Sequence, residues 1–132
     1  MLSSEGTSSV VRMLLESLAK RDAMAVEAVL AEDVVWHFPG QTGLLAGDHF
    51  GRQAVFEFLF KVVELTGDTF DLEVIDVLAS ENRAAVLFRG HAKRSGRTLD
   101  NPTCLVLSIH NGTVTELWEY VWDLSHVEEF WK

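Results

Sequence analysis

The sequence predicts an α+β fold in which a curved antiparallel sheet, one short strand plus a four-strand meander, is packed by helices. Three observations predict it. The first half carries apolar residues at helical spacing, the second carries long alternating runs rich in β-branched residues. The runs are joined by connections of two or three residues, which force antiparallel neighbours. The last connection is Asn111-Gly112, the strongest short-range signal for a type I′ turn, because both of its central residues need φ > 0.

In chain order, Val10, Val11, Leu14, Leu15 and Leu18 mark a first helix after Ser8-Ser9, with Glu16 and Lys20 as an i,i+4 ion pair. Asp22 caps a short second helix that turns Val26, Val29 and Leu30 inward. Asp33–Pro39 reads as a short strand stopped by Pro39-Gly40, and Gln41–Gly51, with no period, as a rim loop. A third helix runs from Arg52 to Thr66-Gly67. Only Gln53, Glu57, Lys61 and Glu64 form a polar stripe on it, so burial on two sides, by the sheet and by a partner subunit, is expected. The meander strands are Thr69–Ala79, Arg83–Lys93, Arg97–His110 and Thr113–Asp123. Pro102 predicts an edge position or a bulge, and Ser125-x-x-Glu128 a capping box for a short C-terminal helix. A bent sheet closed by helices leaves a cone-shaped cavity suited to a small ligand.

The 132 residues are read as one domain, 1–132, large enough to bury a core without disulfides or metal. A net charge of −9 offers no basic face for phosphates and argues against nucleic acid. No apolar run approaches the roughly 20 residues that span a bilayer, so no membrane partner is expected. The polar start MLSSEGTSS lacks a secretory pattern, and the reading is cytoplasmic with a frayed N-terminus. The single Cys104, in an apolar strand, reads as a buried structural thiol. The histidines lack metal-ligand spacing and there is no phosphate loop or dinucleotide fingerprint, so neither metal nor cofactor is expected.

On the last strand, alternation puts Val114, Glu116, Trp118, Tyr120 and Trp122 on one face. That aromatic face is expected to line the cone, leaving Glu119 and Asp123 pointing away from it. Both faces of the meander are apolar, which predicts a homodimer through the outer one.

Three stretches carry a family resemblance: DAMAVEAVLAEDVVWHFPG (Asp22–Gly40), LAGDHFGRQAVFEFL (Leu45–Leu59) and NGTVTELWEYVWDLSHVEEF (Asn111–Phe130). On these the chain resembles the SnoaL-like branch of the nuclear-transport-factor-2-like superfamily, over nearly its whole length. The resemblance implies isomerase, cyclase, epoxide hydrolase or purely binding roles. Ketosteroid isomerases of the superfamily keep a general-base Asp where Phe38 stands and a Tyr at about Leu14, and Thr103–Ile109 holds no acid for an oxyanion hole. SnoaL-like cyclases and limonene-type epoxide hydrolases keep an Asp that aligns with Tyr120; the hydrolases' Arg and second Asp align with Arg89 and His91.

The polar set that remains is Tyr120, His91, Arg89 and His37. As catalytic residues, His91 or His37 would act as base near neutral pH, with Tyr120 and Arg89 polarising an oxygen. The plainer alternative anchors the Tyr120 hydroxyl at a pocket edge, pairs Arg89 with an acid and turns His37 outward. The ligand-binding wall is expected from Trp36, Phe38, Trp118 and Trp122. Function is thus read as binding, with or without conversion by an isomerase, cyclase or hydrolase, of a small, mostly apolar molecule in the cone of a dimer. A non-catalytic binding or dimerisation module is the alternative.

Overall fold

The computed structural model describes residues 3–132. Its elements, in order, are α1 (Ser4–Ala19), α2 (Ala23–Val29), β1 (Leu30–Phe38), β2 (Gly47–Phe50), α3 (Arg52–Leu65), β3 (Asp71–Ala79), β4 (Arg83–Arg94), β5 (Arg97–His110), β6 (Thr113–Val121) and α4 (Leu124–Phe130). The six strands form one sheet in the order β2-β1-β6-β5-β4-β3. The meander is antiparallel, while β1 lies parallel to β6 and makes a hairpin with β2. This is the expected α+β architecture, with a mixed six-strand sheet in place of an all-antiparallel five-strand one.

Local chemistry explains most boundaries. The Ser3 side chain accepts the Gly6 amide and opens α1, one turn before the expected start, so the chain is helical from Ser4. The expected fraying concerns Met1 and Leu2, outside the described residues. Asp22 accepts the Ala25 amide at 3.2 Å and caps α2 as expected, and Lys20 pairs with Glu16 at 2.6 Å. Asn111 and Gly112 both have positive φ, 51° and 78°, as a type I′ turn demands.

Four expectations are corrected. The rim stretch contains β2, whose pairing with β1 (Trp36↔His49, His37↔Asp48) supplies the order its sequence does not advertise. Pro102 sits in a central strand. Its carbonyl accepts the Trp122 amide at 3.0 Å, so its own nitrogen faces the same way, past the last β5–β6 ladder pair Thr103↔Val121, and no ladder donor is lost. Helix α4 is capped by Asp123, which accepts the His126 amide. Glu128 does not close a capping box; its carboxylate accepts from the Gln41 and Thr42 amides and the Thr42 hydroxyl. Cys104 is half-buried on the outer sheet face.

The core lies between the helices and the concave inner face of the sheet. Val34, Trp36, Val86, Phe88, Leu105, Leu107, Val114 and Leu117 from the strands meet Val11, Leu14, Val26, Val55 and Phe58 from the helices. The stripe Gln53, Glu57, Lys61, Glu64 on α3 is exposed as expected. The second apolar side of that helix, including Phe56, Leu59 and Val63, borders a cavity.

Candidate functional site

A cavity of about 480 Å³ opens between α1, α2, α3 and the inner sheet face. Its wall is mostly apolar: Leu15, Leu18, Val26, Phe56, Leu59, Phe70 and Phe88 are representative. Strand β1 contributes Trp36 and Phe38, two of the expected ligand-binding residues, with Trp36 only 4% exposed. Strand β6 contributes Glu119.

Glu119 reaches the cavity because of a β-bulge. The β5–β6 register jumps from Ile109↔Val114 to Ser108↔Glu116, leaving Thr115 unpaired. Val114 therefore joins Leu117, Glu119 and Val121 on the inner side, and Glu116, Trp118 and Tyr120 face outward. The expected alternation is thus inverted with respect to the cone. Tyr120 is 58% exposed and Trp122 85%.

The Glu119 carboxylate accepts the Trp36 indole N–H at 2.7 Å. The residue is half-buried and borders the cavity. Burial among apolar side chains raises its pKa to about 7, and the Trp36 hydrogen bond only partly offsets this. A carboxyl poised near neutrality in an apolar recess can both give and take a proton. Asn101, 7% exposed on β5, also borders the cavity, and its side-chain oxygen has no hydrogen-bond partner among the described residues.

The four residues expected to be catalytic all lie on the outer face. His37 bridges Asp48 (Nδ1–Oδ1 2.7 Å) and Glu116 (Nε2–Oε2 2.5 Å) and stacks on Trp118, ring centroids 5.6 Å apart. Burial works against its protonation, but the hydrogen bonds to Glu116 and Asp48 outweigh burial and raise its pKa. Arg83 lies over the Trp118 ring at 5.8 Å. Arg89 donates to Asp100 at 3.0 Å, and His91 pairs with Glu73 at 3.1 Å. Tyr120 lies beside Cys104 in register. Neither Tyr120 nor a histidine shares the cavity with Trp36 and Phe38, and Trp118 and Trp122 do not line it. Arg89 thus pairs with an acid and His37 faces outward, while Tyr120 is not at the pocket edge.

Sequence reasoning missed Glu119 and Asn101. For Glu119 the signal is a lone polar residue between apolar ones at period two, Leu117-x-Glu119-x-Val121; Asn101, between Leu99 and Thr103, carries a weaker one. Three aromatics on the opposite side of β6 outweighed it.

No helix among the described residues is long and apolar enough to cross a membrane. Known proteins share this fold. The family model for a SnoaL-like domain matches residues 11–117. The solved structure of Bal32a, from a soil-derived mobile gene cassette, is 32% identical with a TM-score of 0.94, covering 98% of this chain and 98% of that one. A nuclear-transport-factor-2-like protein from Burkholderia xenovorans, 21% identical, shares the fold with a TM-score of 0.85 over the full length of both chains. The uncharacterised protein Rv0034 of Mycobacterium tuberculosis is 27% identical over 123 residues, 92% of this chain and 93% of its own. With a match to most of its length and the inner-face cavity in place, the chain belongs to the SnoaL-like family.

Proposed function

We propose that the cavity binds a small, mostly apolar molecule and that Glu119 transfers a proton on it, as an isomerase or cyclase of a hydrophobic substrate requires. One observation carries the reading. The carboxyl group of Glu119, held by Trp36 and titrating near neutral pH, stands in the wall of an apolar cavity of ligand size. The resemblance aligns the family's last-strand Asp with Tyr120, so that this carboxylate reads as missing; a carboxylate does stand on that strand, one residue earlier and facing inward. Proton removal next to a carbonyl would place the substrate oxygen away from Trp36, whose only side-chain N–H is already given to Glu119.

The test uses 2-tetralone, a two-ring ketone with acidic α-protons. In deuterated buffer the wild-type protein is expected to accelerate α-deuterium incorporation, read by NMR. Glu119→Gln removes the acceleration while tetralone still quenches tryptophan fluorescence, and Leu59→Trp, which fills the cavity, removes both. Exchange at the buffer rate in the wild type, or at an unchanged rate in Glu119→Gln, refutes the proton-transfer role. Saturable binding without exchange would support the second reading, a non-catalytic binding module, which is favoured by the commitment of the Trp36 donor.

The same proposal includes a homodimer through the outer sheet face. That face presents Trp118, Tyr120, Trp122, Cys104, Val106 and Leu87, with the large exposure of Tyr120 and Trp122 at one edge. The charged groups around it, His37–Glu116 and Arg89–Asp100, are paired within the chain and form a polar rim.

A further inference from the structure

The inner face holds a second polar position whose chemistry defines what the ligand must carry. Asn101 is nine-tenths buried, borders the cavity, and leaves its side-chain oxygen without a partner among the described residues. Its backbone is fully used: it pairs with Gly90 across the β4–β5 ladder, and its carbonyl accepts the Thr103 hydroxyl at 3.2 Å. The side-chain oxygen is the one fully buried side-chain polar atom without a partner among the described residues. A buried acceptor left unpaired costs roughly 1–3 kcal/mol, so the position is unfavourable until something donates to it.

The oxygen itself is closed off, and a donor in the cavity reaches it once the amide turns about its terminal torsion, which is broad in asparagine. Gly90, directly opposite Asn101, also borders the cavity, and a Cβ there would come within 3.5 Å of the Phe70 ring. Glycine keeps this end of the cavity open beside the amide. Glu119 faces Leu105 in register, four residues further along β5. The two polar positions are thus separated by about 13 Å along the strands, at 3.3 Å per residue, and the wall between them includes Leu105 and Phe88.

We propose that Asn101 is a ligand-anchoring residue: the cavity takes an elongated, apolar, ring-based molecule bearing a hydroxyl or N–H group that donates to Asn101 at the end remote from Glu119. This rests on the reading of the cavity as a ligand site, but not on proton transfer by Glu119. A compact ligand with a single polar group would reach only one of the two positions. A molecule polar at both ends of an apolar body satisfies both.

The test compares 4,4′-dihydroxybiphenyl, 4-hydroxybiphenyl and biphenyl by calorimetry and tryptophan quenching. The wild type is expected to bind the diol about tenfold more tightly than the mono-ol, the scale of one hydrogen bond to a buried acceptor. Asn101→Leu should abolish that preference, with a melting temperature equal to or above the wild type because the orphan acceptor is gone. Asn101→Ala is the second variant should leucine prove too large, with the same loss of preference expected. Equal affinity of diol and mono-ol for the wild type, or a diol preference that survives both substitutions, overturns the role of Asn101 and leaves the cavity reading standing. Absence of saturable binding by every biphenyl, together with no quenching by 2-tetralone, overturns the cavity reading and the anchor with it.

Discussion

Glu119 ties ligand chemistry to stability through one proton. Its carboxyl titrates near 4.5 when unfolded and near 7 when folded, so between these values the native state holds more protons than the unfolded state. Its contribution is complete below the unfolded value and is lost as pH rises through 7, amounting to no more than about 3 kcal/mol. His37 acts in the same direction: its raised pKa stabilises the fold when protonated, and that gain fades as pH rises through the raised value. Melting temperature is therefore expected to fall between pH 5.5 and 8. Glu119→Gln should flatten most of that slope, and Glu119→Gln with His37→Gln nearly all of it. A slope unchanged in Glu119→Gln would mean that the buried carboxyl ionises like an exposed one. Tyr120→Phe, by contrast, is expected to leave ligand affinity unchanged, since the hydroxyl is on the other side of the sheet.

Among the elements, β6 shows where sequence reasoning stops. Its extent, its turn and its pairing with β5 follow from Asn111-Gly112 and from alternation. Which face turns inward does not, because one unpaired residue, Thr115, reassigns Val114 to the other side. A threonine in a β-branched run carries no mark of a bulge, and three aromatics supply more apolar area than Leu117 and Val121. The cavity's helical walls were legible, in contrast, since Leu15, Leu18, Val26 and the α3 residues follow plain helical spacing. Strand β2 was hidden for another reason: four residues, two of them Gly47 and Asp48, have no propensity to betray them. The adjoining loop offers a separate test. Glu128 gathers the Gln41 and Thr42 amides and the Thr42 hydroxyl, which holds its pKa below the ordinary carboxylate value. In Glu128→Ala, hydrogen exchange is expected to accelerate at the Gln41 and Thr42 amides while those of β5 stay protected. Unchanged exchange at both would show that Gly40, in its left-handed conformation, and the Leu44 amide bond to the Trp131 carbonyl suffice to fix the loop.

For the molecule as a whole, the two sheet faces divide the labour: the inner one encloses the cavity, and the outer one gathers aromatics within paired charges. If the outer face joins two copies, Tyr120→Arg with Trp122→Ser should convert a dimer into a monomer in sedimentation velocity at micromolar concentration, with the 2-tetralone site retained. A wild-type protein that sediments as a monomer would refute the dimer, and a double variant that stays dimeric would place the interface elsewhere. Fold and family could be read before any coordinates because pattern, turns and caps agree across the chain. The acid at the site could not, because its orientation is a property of register.

The parallel seam between β1 and β6 has a kinetic corollary. Trp36 and Glu119, which meet across that seam, are 83 residues apart in the chain, whereas β3–β4, β4–β5 and β5–β6 each join strands consecutive in the chain. Closing so long a loop carries an entropic cost that local hairpins avoid, and it slows whatever depends on it. During synthesis, β1 emerges long before its central partner exists, so β1 and β2 have only each other as strand partners until β6 has left the ribosome. Pulse-labelled refolding should therefore protect amides of β4 and β5 first and those of β1 last. Ligand binding would then arrive with the final phase, making the acid–indole contact a reporter of completed folding.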